Sequence, residues 1–212
     1  WPLQEFIYAN GELKTPIRWA AQRVRCEHPE FAGDIRPLNF TGEAMFPWMR
    51  TIDNIAYPLK LEGKSKAEVA QRIDELVASF DVKFDLNRYP YELSGGQQQT
   101  ASIMRALAPK PEVLFLDEPF SALDFEMTLF IREKLQDVFM QTGTTMLLVS
   151  HDLEEAVYLA DQILLLTKRP THVAEILNYN DPRPRTIETL TQPSFIDAKK
   201  LSLEIFQREV RK

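Results

Sequence analysis

The sequence predicts an α/β fold built on a parallel sheet that is covered on both faces. Three observations carry this. Residues 113–116, 146–149 and 163–166 are short, unbroken apolar runs, with the length and continuity of strands buried on both sides. Helical patterns at 125–140 and 153–161 separate them. Short buried strands alternating with helices imply right-handed βαβ units, and ligands in such sheets bind beyond the carboxyl ends of the strands.

Taken in order, Glu5-Phe6-Ile7-Tyr8-Ala9 reads as a short strand ending in a turn at Asn10-Gly11. Residues 15–26 read as a helix with a poor apolar stripe, and 29–39 as loop and short strand. The periodicity is clear from Ser65. Ser65-Lys66-Ala67-Glu68 is a capping box, in which hydroxyl and carboxylate satisfy N–H groups that a helix start leaves unpaired. Val69, Ile73, Leu76, Val77 and Phe80 then share one face. Residues 97–107 form a second helix with Ile103, Met104 and Leu107 apolar. The strand at 113–116 ends on Asp117. The helix at 125–140 turns Phe130, Ile131, Leu135 and Val138 inward, and Gly143 makes the turn into the next strand.

With 212 residues and 44% hydrophobic content, the chain buries a full core in one domain with a smaller insertion. A net charge of -6, with Lys and Arg dispersed, gives no electrostatic footprint for nucleic acid. Cys26 is the only cysteine, which excludes an intrachain disulfide and fits a reducing compartment. No apolar run approaches the roughly 20 residues needed to cross a bilayer, and no signal segment opens the chain. Membrane association is therefore expected to go through a partner.

Three segments carry chemistry. Leu93-Ser94-Gly95-Gly96-Gln97 opens a helix with two glycines, so backbone N–H groups and the helix dipole can meet an anion closely. The plainer alternative is a serine cap with glycines in a tight turn. The strand at 113–116 delivers two adjacent carboxylates, Asp117 and Glu118, before Pro119. That placement suits a Mg²⁺ shell at Asp117 and an attacking water at Glu118. Ser121-Ala122-Leu123-Asp124 follows directly. His151 stands at the carboxyl end of the strand at 146–149, where an imidazole can polarise a terminal phosphate; the plainer alternative is a cap for the helix beginning at Asp152.

In this order the segments resemble the ABC ATPase family, over about four fifths of the chain from Phe40 onward. Residues 93–97 match the family's signature, 113–118 its Walker B strand and catalytic glutamate, 121–124 its D-loop, and His151 its switch histidine. The resemblance implies a RecA-like P-loop core at 1–45 and 109–170, a helical subdomain at 46–108 and a C-terminal extension at 171–212. It implies ATP and Mg²⁺ as cofactors, with Asp117 on the metal and Glu118 and His151 catalytic in cis. Ser94, Gly95, Gly96, Gln97 and Asp124 would be nucleotide-binding residues, with Ser94, Gly95 and Gly96 contacting ATP held by the opposite subunit of a homo- or heterodimer. It further implies a transmembrane permease subunit docked on residues 46–55, and a cytoplasmic chain peripheral to the inner face of the membrane. Phe46-Pro47-Trp48 before Asp53-Asn54-Ile55-Ala56, Lys168-Arg169-Pro170, Pro182-Arg183-Pro184-Arg185 and Pro193-Ser194-Phe195 are similar to the nitrate/sulfonate/taurine importer ATPases. The expected function is the energy-coupling subunit of such an importer.

The family's phosphate loop, G-x-x-x-x-G-K-[ST], falls by position on residues 8–15. Lys14 and Thr15 fit its last two places, but Tyr8 and Leu13 hold the two glycine positions. Thr41 stands where a glutamine is usual, Thr100 where a basic residue is usual, and the strands that precede the loop in the family have no counterpart. Either the segment before residue 43 has been altered, or the subunit has a weak nucleotide site of its own. The second option gives the alternative function: a non-hydrolysing partner that supplies its signature to an intact sister.

Overall fold

The computed structural model describes residues 45–111, 113–121, 123–167 and 172–211, with side chains as far as Glu209. The expected elements at 5–9, 15–26 and 29–39, the loop with Lys14 and Thr15, Thr41, and the segment Lys168-Arg169-Pro170 lie outside the described residues. The chain divides into two compact units, whose described parts run from 45 to 147 and from 148 to 211.

The first unit is mainly helical. Helix α1 (Thr51–Leu61) has no side-chain cap. Instead the N–H groups of Thr51 and Ile52 donate to the carbonyls of Arg88 and Leu86, each at 2.9 Å. Helix α2 (Lys66–Ser79) starts at the expected capping box: Ser65 Oγ accepts from Glu68 N and the Glu68 carboxylate accepts from Ser65 N at 2.8 Å. Val69, Ile73, Leu76 and the C-cap Phe80 are buried, and Val77 only partly so. Helix α3 (Gly95–Leu107) follows a 3-10 turn (Pro90–Glu92) and buries Ala101, Ile103, Met104 and Leu107. Arg72 of α2 donates to the carbonyls of Leu107 (2.7 Å) and Ala108 (3.0 Å). A cation at a helix C-terminus answers both the unpaired carbonyls and the dipole.

Strand β1 (Val113–Asp117) is buried from Val113 to Leu116 and pairs with β2 (Thr145–Val149). Helix α4 (Phe125–Thr142) lies between them in sequence and buries Ile131, Leu135 and Val138, whereas Phe130 is half-buried beneath Lys134. Gly143 ends α4 with φ +64, a left-handed conformation that glycine adopts without the Cβ clash. Residues 146–149 are only partly buried, not enclosed as the apolar run predicts.

The second unit holds α5 (Leu153–Leu159), β3 (Gln162–Leu166), β4 (Val173–Asn178), a 3-10 turn (Ile187–Thr191) and α6 (Pro193–Arg211). The sequence makes 163–166 a third parallel strand. Among the described residues its partner is β4, and the pairing is antiparallel. A leucine run looks the same whichever neighbour it pairs with, and β4 (Val-Ala-Glu-Ile-Leu-Asn) lacks the continuous apolar run that marks a strand buried on both faces. Val157, Tyr158, Ile163, Leu165, Tyr179, Phe195 and Ile205 form the core of this unit.

Arg185 is buried at 1% exposure. Its guanidinium donates to the carbonyls of Val157 (3.1 Å), Ala160 (2.7 Å) and Tyr179 (3.0 Å), and meets the Asp161 carboxylate at 3.1 Å. One side chain thus closes the last turn of α5 and fixes the end of β4.

Candidate functional site

Residues 93–97 fold as a reciprocal cap on α3. Ser94 Oγ accepts from Gln97 N at 3.3 Å, and Gln97 Oε1 accepts from Ser94 N at 3.0 Å. Leu93 is buried and anchors the segment, while Ser94 and Gly95 are exposed. Gly96 is required by close packing: a Cβ there would lie 2.9 Å from Met127 Cγ and 2.8 Å from Met127 Cε. The first turns of α3 and α4 therefore abut. Thr100 is buried and donates to the Gly96 carbonyl at 2.8 Å, so the position where a basic residue is usual serves the helix itself.

Asp117 ends β1, half-buried, and burial followed by the neighbouring Glu118 charge raises its carboxyl above the ordinary range. A site that makes a carboxylate costly to ionise is one that a dication relieves. Magnesium commonly takes only one or two protein carboxylates beside substrate phosphates, so Asp117 fits such an ion. The sign gives a prediction. A raised folded-state pKa costs stability once pH exceeds it, and costs nothing below the unfolded value of 3.8. Asp117→Asn is therefore expected to raise the neutral-pH melting temperature of the metal-free chain, by about 2–4 °C for each kcal/mol relieved. The gain should vanish as pH falls toward 4; thermal unfolding of both proteins across pH checks it.

Glu118 has φ +46, in the left-handed region that costs a non-glycine residue roughly 1–2 kcal/mol. Its carbonyl accepts from Ser121 N (3.3 Å) and Ser121 Oγ (3.1 Å). Gln99 Nε2 donates to the next carbonyl, Pro119, at 2.8 Å. Asp124 caps α4 by accepting from Met127 N at 2.9 Å. The structure thus brings the first turn of α3, the 117–119 turn and the start of α4 into one joint.

In the second unit, His151 is exposed in a bend after β2. The alternative role as a helix cap falls to Asp152, which accepts from Glu154 N at 2.7 Å. Ser150 Oγ bonds the Glu155 carboxylate and accepts from Asp152 N at 3.0 Å, so the bend is pinned on its own side chains.

Residues 13–121 match the family model described as ABC transporter. The chain belongs to the ABC transporter family. It is 38% identical over 168 residues to the aliphatic sulfonates import ATP-binding protein SsuB of Bacillus licheniformis, covering 79% of this chain and 64% of that one. The nitrate import ATP-binding protein NrtC of Synechocystis sp. is 36% identical over 77% of this chain and 25% of its own length. The spermidine/putrescine import ATP-binding protein PotA of Marinobacter nauticus is 41% identical over 62% of this chain and 36% of its own. The chain thus spans under two thirds of these relatives. A dimeric post-hydrolysis structure of the ATP-binding cassette MJ0796 bound to ADP and Pi is similar with a TM-score of 0.59 at 26% identity, over 70% of this chain and 66% of that one. The fold of this ABC transporter chain is accordingly the RecA-like α/β fold of the cassettes, with its parallel sheet.

The roles of two groups of this ABC transporter chain are not legible in the sequence. Gln99 was one glutamine among three, with nothing local to mark it. Asn54 is fully buried and binds the 46–50 turn onto α1, accepting from Phe46 N (2.7 Å) and donating to the carbonyls of Phe46 (3.1 Å) and Met49 (3.1 Å). Arg105, its charge disfavoured by burial, lies 5.4 Å from the Phe46 ring centroid. Asn54 stands in the Phe46-Pro47-Trp48…Asp53-Asn54-Ile55-Ala56 motif, but the motif does not show that its amide holds the turn.

Proposed function

We propose that the chain is the ATP-binding and ATP-hydrolysing subunit that drives an importer for a small anion or organosulfur compound of the nitrate, sulfonate or taurine type. The observation that supports this most is the joint of α3, the 117–119 turn and α4 in a chain of this family. One element offers N–H and hydroxyl donors to an anion, and another offers two carboxylates at a strand end. In this reading two ATPase subunits pair. Each site takes Lys14, Thr15, Asp117, Glu118 and His151 from one subunit and Ser94, Gly95 and Gly96 from the other, with Gln97 and Asp124 also assigned to nucleotide binding.

Glu118 orients the attacking water and accepts its proton, while the Ser94 hydroxyl and the Gly95 and Gly96 N–H groups stabilise charge developing on the terminal phosphate. His151 polarises the same phosphate from the cis side. Asp117 would hold Mg²⁺, which when bound neutralises charge on the phosphate oxygens. The core is assigned to 1–45 and 109–170, the helical subdomain to 46–108 and the extension to 171–212.

The permease is assigned to the aromatic surface of the helical subdomain. Trp48 is 72% exposed beside Phe46, with ring centroids 5.4 Å apart, and Phe46 also meets Tyr57 edge-on at 5.1 Å. Among the described residues no helix is long and apolar enough to cross a membrane, so attachment at the inner face is assigned to that contact. SsuB and NrtC are named for sulfonate and nitrate, and their matches cover more of this chain than that of PotA, which is named for polyamines.

In the transport complex, Glu118→Gln is expected to keep ATP binding and to cut turnover by about two orders of magnitude. Turnover equal to the parent's would remove Glu118 from the role. Uptake of taurine or nitrate, but not putrescine, by reconstituted vesicles tests the substrate class.

A further inference from the structure

The buried amide of Gln99 joins two functions that the proposed mechanism keeps apart. Ser94, Gly95 and Gly96 act on a nucleotide held by the opposite subunit, whereas Glu118 acts on a nucleotide held by its own. In this chain the helix carrying the first set is bonded directly to the turn carrying the second. We propose that Gln99 is a positioning residue that sets the Glu118 turn according to where the first turn of α3 sits. The inference rests on the functional reading above.

Gln99 lies one helical turn beyond Ser94 and Gly95, is 5% exposed, and donates from Nε2 to the Pro119 carbonyl at 2.8 Å. Pro119 directly follows Glu118, whose φ of +46 is unfavourable for a glutamate. A backbone held in such a conformation persists only when surrounding contacts over-determine it. Those contacts include the Gln99 amide on one side and the Ser121 N–H and hydroxyl on the other. The Ser121 bonds stay within the turn and move with it. The Gln99 bond refers the turn to α3, and Met127 packed over Gly96 leaves the first turn of α3 little freedom to shift alone. A movement of the signature end that closes on the partner's nucleotide is therefore delivered to Pro119, and so to the orientation of the Glu118 carboxylate.

Two substitutions in the transport complex separate positioning from packing. Gln99→Met keeps the volume and removes the donor. It is expected to lower kcat about 10- to 100-fold, the scale of an ångström-level misplacement of a catalytic group, with KM for ATP changed less than about twofold. Gln99→Glu keeps the shape and replaces the donor by a carboxylate facing a carbonyl. Only its protonated form donates, and burial favours that form. Its kcat relative to the parent's should therefore rise as pH falls from 8 to 6, a recovery that a filler of space would not show.

Hydrogen exchange reads the same joint without turnover. The amides of Ser121 and Leu123 should exchange at least about tenfold faster in Gln99→Met than in the parent, with α2 unchanged. Parent-like kcat in Gln99→Met, a flat pH ratio for Gln99→Glu, or unchanged exchange at 121–123 would each overturn the proposal. A parent complex without ATP turnover sensitive to Glu118→Gln would instead overturn the functional reading, leaving the exchange comparison to decide whether Gln99 fixes the turn.

Discussion

Replacing Ser94 by arginine is expected to abolish ATP turnover by the transport complex while leaving the subunit folded. The side chain is exposed, so an arginine meets no packed core. Loss of the cap on α3 costs about 1 kcal/mol, which a chain of this size tolerates. The damage falls on the opposite subunit's nucleotide. A long cation would occupy the space in which the hydroxyl and the two glycine N–H groups meet the terminal phosphate, and it would hold the two subunits apart. Losing preorganised donors at a developing charge costs on the order of 10²–10³-fold in kcat, and steric exclusion adds to it. Ser94→Ala, which removes the hydroxyl and the cap but no space, should be clearly milder. Steady-state ATPase assays of both variants, with circular dichroism as the folding control, decide the matter. Residual activity above about a tenth of the parent's in Ser94→Arg would show that this helix end does not face a nucleotide.

The second large effect is on stability. Arg185→Met is expected to destabilise the chain by about 3–5 kcal/mol, the range for breaking a buried charge, here one whose two terminal nitrogens are hydrogen-bonded. Methionine retains much of the aliphatic stem, so the loss isolates the guanidinium bonds. The carbonyls of Val157, Ala160 and Tyr179 would be left without this donor, and the Asp161 carboxylate without one of its two arginines, Arg183 being the other at 2.7 Å. Arg185→Lys should recover little, because an ammonium cannot span several carbonyls with a planar fork. Urea unfolding is the direct measurement. A loss under about 1 kcal/mol for Arg185→Met would mean that water replaces the bonds.

What could be read from the sequence was what neighbouring residues decide among themselves. The Ser65 capping box, the left-handed Gly143 and the Asp124 start of α4 are local transactions, and each stands where the pattern places it. The strand at β1 was legible because a buried strand needs an apolar run, whatever surrounds it. Helix α1 was not anticipated: Arg50 is no cap, Pro58 interrupts the pattern, and the unpaired N–H groups are satisfied by a loop more than 30 residues away. Strand β4 was missed because half of it faces outward.

The candidate site divides the same way. Ser94, Asp117, Glu118 and Asp124 were marked by adjacency and order. Gln99 and Arg185 act on carbonyls brought to them by the fold, and a side chain whose partner is 20 or more residues off carries no local mark.

The reciprocal cap at Ser94 and Gln97 has a consequence for what α3 shows to its surroundings. Each side chain spends an acceptor on the other's backbone: the serine oxygen on Gln97 N, and the glutamine oxygen on Ser94 N. The hydroxyl hydrogen and the glutamine NH₂ are not used by the cap, and they stand beside the Gly95 and Gly96 N–H groups that no helix can pair internally. Donors thereby outnumber free acceptors at this end of the helix, since the serine and glutamine oxygens each keep only one uncommitted lone pair. Accepting a bond also makes the hydroxyl a better donor. A ligand rich in lone pairs meets a surface already turned toward it, while a hydrogen-bond donor of similar size meets few oxygens to receive it.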